Sequence, residues 1–186
     1  MEKISNWLRK KTSTWLMLAS LLVMVCFMVF VLPAQAARST REIGAENSPD
    51  MSLYYSPEEL HQMAEEYGEA GRQAYIRSRW TFDLVFPLVY TAFLVSGISW
   101  FSQRLTHWGA TWKLTNLLPL WGGIFDLLEN TATSLVMALY PAKSSILLIS
   151  ASLFTPIKWA LVSVSFFPYL ILGTTWLVQK VRFKQE

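Results

Sequence analysis

With 186 residues the chain has room for one compact domain, and 53% apolar residues, nine Trp and a positive mean hydropathy exceed what an ordinary water-soluble domain carries. Its formal charge of +3 sits in short Lys/Arg clusters beside apolar runs, without a basic face or an RNA-reading motif, which excludes nucleic acid as a partner. Cys26 is the only cysteine, and His61 and His107 fall in different polar segments, so no intramolecular disulfide, metal site or other cofactor is expected.

An α-helix rises about 1.5 Å per residue, so roughly 20 apolar residues cross about 30 Å of hydrocarbon. By that measure the sequence predicts an all-α polytopic membrane bundle, about four transmembrane helices plus one extracytoplasmic amphipathic helix. A basic segment, 1–14, leads into the first apolar run at 15–32. Two readings of this run stay open. Its basic start and the sequence Ala34, Gln35, Ala36 fit a secretory signal cleaved after Ala36, whereas a run of about 18 residues is longer than the usual h-region and fits an uncleaved anchor.

Polar residues follow at 33–79. The part from Ala37 to Asp50, rich in Ser, Asn, Pro and acids, reads as a loop. A helix is expected over 56–79, where Ser56 can cap, Pro57 suits the first turn, and Glu58 and Glu59 complement the positive end of the helix dipole. Leu60, Met63, Ala64, Tyr67, Gly71, Ala74 and Tyr75 recur at helical spacing, and Gly68 and Gly71 can bend the helix. Its many acids favour covering the outer mouth of the bundle over lying on anionic lipid, with a plain solvated connector as the alternative.

The second span is expected at 80–101, a cytoplasmic loop at 102–113, the third span at 114–140, a short outer loop at 141–145, the fourth span at 146–178 and a basic tail at 179–186. The last two runs exceed the length required, so they should tilt, project, or break near Pro156 and Pro168. Lys3, Arg9, Lys10 and Lys11, then Arg104 and Lys113, then Lys180, Arg182 and Lys184 all fall on one side of an alternating bundle. The positive-inside rule makes that side the cytoplasm, with both termini there, in a plasma or inner membrane. Trp15, Trp80, Trp108, Trp112, Tyr140 and Trp176 lie near span ends, where amphipathic rings meet headgroups.

Ionisable groups at membrane depth cost at least about 2.5 to 3.5 kcal/mol on insertion scales, so they are the candidate functional residues. Asp83 lies in the second run, Asp126 and Glu129 in the third beside Asn130, and Lys158 in the fourth. Counted from the cytoplasmic ends, they lie roughly 27, 18 to 24, and 30 Å deep, which brings them together in the outer half. Asn116, Pro119, Gly123, Asp126, Asn130, Thr133 and Met137 form one helical stripe, with Glu129 on its flank. Asp83, Pro87 and Tyr90 share another, as do Thr155, Lys158, Val162, Ser165 and Tyr169. Two adjacent carboxylates in low dielectric should repel, and one of Asp126 and Glu129 should keep its proton.

Three functions follow from this cluster. The first is a binding or accessory protein whose polar site, with Tyr90 and Asn130, receives a lipid headgroup, a small ligand, a membrane-protein partner or a second copy of the chain. The second is a membrane enzyme using Asp126 and Glu129 as acid and base on an amphiphilic substrate, with Lys158, Arg72, Arg77 or Arg79 holding an anionic group. The third is a proton- or cation-coupled carrier. No nucleotide loop, nucleophile elbow or zinc helix occurs. In general plan, four spans with intramembrane acids, the chain is similar to small membrane proteins such as the EXPERA-type sterol and ligand binders. The likeness is one of plan and not of motif, so no family is assigned on it.

Overall fold

The computed structural model describes residues 1–43, 49, 52–105 and 110–182, and among these the regular structure is helical throughout, with no strand. Eight α-helices follow in order: α1 (Glu2–Lys11), α2 (Thr14–Cys26), α3 (Leu32–Ile43), α4 (Pro57–Glu66), α5 (Gly68–Arg79), α6 (Phe82–Arg104), α7 (Leu118–Leu139) and α8 (Ser145–Arg182). Three helical stretches, Thr14–Arg41, Gly68–Arg104 and Ser145–Arg182, are long and apolar enough to cross a membrane. α7 has 22 residues, but Asp126, Glu129, Asn130, Thr131, Thr133 and Ser134 dilute its apolar content, and it is not among those three.

A wide π turn, Phe27–Val31, joins α2 to α3. It ends two residues before Pro33, whose ring would clash with the carbonyl four residues earlier, that of Val29 within the π turn, in a regular helix. The loop expected from Ala37 is corrected at its start: α3 runs on to Ile43. Ala, Gln and Arg in this stretch favour helix, and Gln35 Nε2 donates to Ser78 Oγ at 2.8 Å, tying α3 to α5. Residues 44–48 and 50–51 of that loop, together with His107, Trp108 and Lys184, lie outside the described residues.

The single helix expected over 56–79 is instead two. Ser56 caps α4 in a reciprocal capping box with Glu59, and Gly68, at φ +60°, separates α4 from α5 in a conformation that side chains with a Cβ rarely adopt. α4 and α5 fold over one end of α7 and α8 through buried Leu60, Ala64, Tyr67 and Tyr75, which pack with Val136, Met137 and Leu148. Of the alternatives for α8, a break at Pro156 or Pro168 does not occur: the helix continues for 38 residues through both.

Packing at the other end is aromatic. Ile98, Leu105 and Leu172 are covered by Phe101, Trp112, Tyr169 and Trp176. Gln103 Nε2 donates to the carbonyls of Arg9 and Thr12, holding α1 against α6, and the Trp100 and Trp176 rings meet at 4.9 Å. Arg104 lies over Trp100 and Lys180 over Trp176, so Arg9, Arg104 and Lys180 share one end of the molecule. Along the helices the polar stripe of α7 faces inward: Pro119, Asp126, Asn130, Thr133 and Met137 are buried, as is Asn116 just ahead of the helix. A Cβ on Gly123 would lie 2.9 Å from Thr91 Oγ1, so the absent side chain allows α7 to approach α6 closely.

Candidate functional site

The charged residues of four helices meet beneath α4. On α7, Asp126 and Glu129 are three residues apart, which puts them on neighbouring positions of one helix surface, and both face Lys158 of α8. Lys158 Nζ is ion-paired with Glu129 and stands 4.0 Å from Asp126 Oδ1. Asp126 is held from its other side by Tyr90 of α6, whose Oη donates to Oδ2 at 2.9 Å. One ammonium thus serves two carboxylates.

A second pair adjoins the first. Arg79, at the end of α5 and only 2% exposed, stands 3.4 Å from Asp83 Oδ2 one turn later, at the start of α6. Its Nη1 donates to Asn130 Oδ1 at 2.9 Å and its Nη2 to Tyr75 Oη at 2.7 Å. Asn130 completes the bridge by donating from Nδ2 to the Asp83 carbonyl at 2.9 Å, so one amide satisfies groups from α5 and α6 at once. A carboxamide can do this because it both donates and accepts. An aspartate at position 130 could only accept.

The lid over the cluster is formed by Tyr55, just ahead of α4. Thr155 Oγ1 of α8 donates to Tyr55 Oη at 2.8 Å, and the phenol faces Glu129. Burial, and secondarily the charge of Glu129, hold the Tyr55 phenol well above its ordinary range, so it stays a neutral donor. Beside it Trp159 Nε1 donates to the Ser52 carbonyl at 3.2 Å, fixing the strand of chain that leads into α4.

Of the nine side chains singled out from the sequence, Asp83, Tyr90, Asp126, Glu129, Asn130, Lys158 and Arg79 are brought together. Arg72 and Arg77 are not. Arg72 donates to the Ala64 carbonyl at 2.9 Å and lies over the Tyr140 ring, bracing the α4–α5 joint, and Arg77 is on the exposed face of α5. Positions 72 and 79 are separated by seven residues, about two turns, and of the two only Arg79 reaches Asp83 and Asn130. Tyr55 and Tyr75 were missed as site residues. Tyr75 was legible as part of a buried helix face, whereas Tyr55 precedes its helix and carries no periodic signal.

Among the described residues no three His, Cys, Asp or Glu side chains are placed to hold a metal ion. What the arrangement can do is hold and exchange charge: it contains donors, acceptors and ionisable groups that are enclosed by protein. Compared with known protein families, with curated proteins and with solved structures, the chain matches none.

Proposed function

We propose that this chain is an integral membrane binding or accessory protein in which α2–α3, α6, α7 and α8 cross the bilayer, and that the Asp126–Glu129–Lys158 cluster is its binding site. α7 serves as the fourth span because its polar side chains are met by neighbouring helices: Lys158 lies against both carboxyl groups, and Arg79 and the Asp83 carbonyl engage Asn130. The basic residues Arg9, Arg104 and Lys180 gather at the opposite end, which fits a cytoplasmic face there and an outer face at α4. The single observation that carries the binding reading is convergence. Five buried or nearly buried charges come from four separate helices, under a helix pair hinged at Gly68.

A lipid headgroup, a small polar ligand or a polar group on a partner helix would reach the cluster by displacing Tyr55 and α4. Copurification from native membranes tests this: wild-type protein is expected to retain a lipid or protein partner, and Asp126→Asn to lose it. Equal retention by both would refute the assignment of the site. Topology is tested separately with single cysteines introduced into a Cys26→Ser background, for which positions flanking α7 should label from opposite faces of the membrane.

The acid–base enzyme reading would use the same Asp126 and Glu129, which share Lys158. Turnover of labelled lipids by the purified protein, abolished in Glu129→Gln, would favour it over the binding reading.

A further inference from the structure

Among the described residues the cluster contains three carboxyl groups, Asp83, Asp126 and Glu129, and two cations, Arg79 and Lys158. Asp83 has Arg79 at 3.4 Å, and Glu129 is ion-paired with Lys158. Asp126 is left with the far side of the same ammonium, at 4.0 Å. Among the described residues, the other titratable groups shown facing this space are phenols: Tyr90 from α6 against Asp126, and Tyr55 and Tyr75 towards Glu129. Phenols donate hydrogen bonds but bring no positive charge. Fully ionised, the five groups would therefore enclose one uncompensated negative charge.

An uncompensated charge in a protein interior neutralises by taking up a proton before it pays the desolvation cost. A proton also fits where little else does. Asp126 can accept it and still receive the Tyr90 hydrogen bond, through Oδ2 as a carbonyl oxygen. We infer that the cluster is a binding site for one exchangeable proton, carried by Asp126, whose release changes the enclosed charge from zero to minus one. Of the two adjacent carboxyl groups expected to repel, Asp126 is then the one that keeps its proton, and Asp83 supplies the third acid of the count. Any cationic group entering the cluster would have to exchange for this proton, so binding there is coupled to proton release.

This inference rests on the cluster being enclosed, as the proposed binding site is, but not on any ligand being bound. Its test is infrared difference spectroscopy of the full chain in lipid nanodiscs as a function of pH. A carboxylic acid C=O band is expected from the wild type at neutral pH, disappearing on alkaline titration; no such band would overturn the inference without need of any variant. Asp126→Asn should abolish the band, and Asp83→Asn should as well, since either leaves two acids against two cations. Lys158→Met should raise its intensity about twofold, because the acids then outnumber the cations by two. A band that survives in Asp126→Asn overturns the assignment, and one that survives in Asp83→Asn overturns the count. Variant folding is checked by circular dichroism and gel filtration. If partner retention fails while the band behaves in this way, the binding reading falls and the proton site stands.

Discussion

At the α1 end of the bundle, Asn116 Nδ2 donates to Ser99 Oγ at 3.0 Å and to the Ser5 carbonyl at 3.2 Å, Ser20 and Ser96 hydroxyls meet at 2.6 Å, and Trp100 Nε1 donates to Thr14 Oγ1 at 3.1 Å. At the α4 end, the corresponding interior positions carry Arg79, Asp83, Asp126, Glu129 and Lys158. Both ends join helices through polar side chains. Neutral pairs of the first kind stabilise helix contacts by about 0.6 to 2 kcal/mol each, at little desolvation cost. Charges of the second kind cost several kcal/mol apiece to bury and return it only with good geometry, and apolar residues of equal volume often pack as well. If helix cohesion were the sole requirement, the neutral solution used at one end would serve at both. The contrast is the physical reason for placing function at the α4 end.

Substitutions at each end separate charge from simple cohesion. The largest effect is expected for Lys158→Met, which strands Glu129 and Asp126 and should destabilise the protein by about 3 to 5 kcal/mol in thermal or chemical unfolding. The carboxyls it leaves behind are relieved by protonation, so the deficit relative to wild type should shrink as pH falls. A deficit independent of pH would assign Lys158 a packing role only. Glu129→Gln should cost less, roughly 1 to 3 kcal/mol, because Asp126 remains for Lys158.

At the neutral end, Asn116→Ala removes the hydrogen bonds to Ser99 and Ser5, and about 1 to 3 kcal/mol is expected in the same assay, with no change in the pH profile. A pH-dependent loss there would erase the distinction between the two ends. Gly68→Ala, at φ +60°, should cost about 1 to 2 kcal/mol and loosen α4. Hydrogen exchange along α4 reads this directly.

The smallest effect concerns the α4 cap. Ser56→Ala should cost about 1 kcal/mol of helix stability. The Glu59 carboxylate, which accepts from the Ser56 backbone N–H at 2.7 Å, is held below its ordinary range chiefly by that bond and then by the Ser56 side chain. A lowered folded-state value means that the cap contribution is complete above the ordinary Glu value, roughly 4.3, and is lost as pH falls through the lowered one. Protection of α4 amides should therefore weaken in acid and, in Glu59→Gln, become insensitive to pH over that window.

Much of this was legible from residue order. The positions of α2, α6 and α8 follow from apolar run length, and the inward stripe of α7 from a three-and-four alternation, because helical geometry converts sequence spacing directly into facing. Ser56, Pro57 and Glu59 announced the start of α4 for the same reason: capping is a local interaction among residues three apart. The break at Gly68 was legible as a possibility of bending but not as a separation into two helices, since glycine permits positive φ without requiring it. The run of α3 into the start of the expected loop, to Ile43, combines helix-favouring residues with a contact to α5 that residue order does not contain.

Residue order alone implies a helical, apolar chain, charged groups at comparable levels along several helices, and the faces they occupy, all set by a period of about 3.6 residues and a rise of about 1.5 Å. It took the packing of the helices to bring Arg79, and not Arg77 or Arg72, into the cluster, to set Tyr55 over it, and to place Lys158 against both Asp126 and Glu129. Those outcomes depend on how helices distant in sequence rotate and cross, and ångström-scale separation, which governs electrostatics in low dielectric, is not encoded in spacing along any one of them.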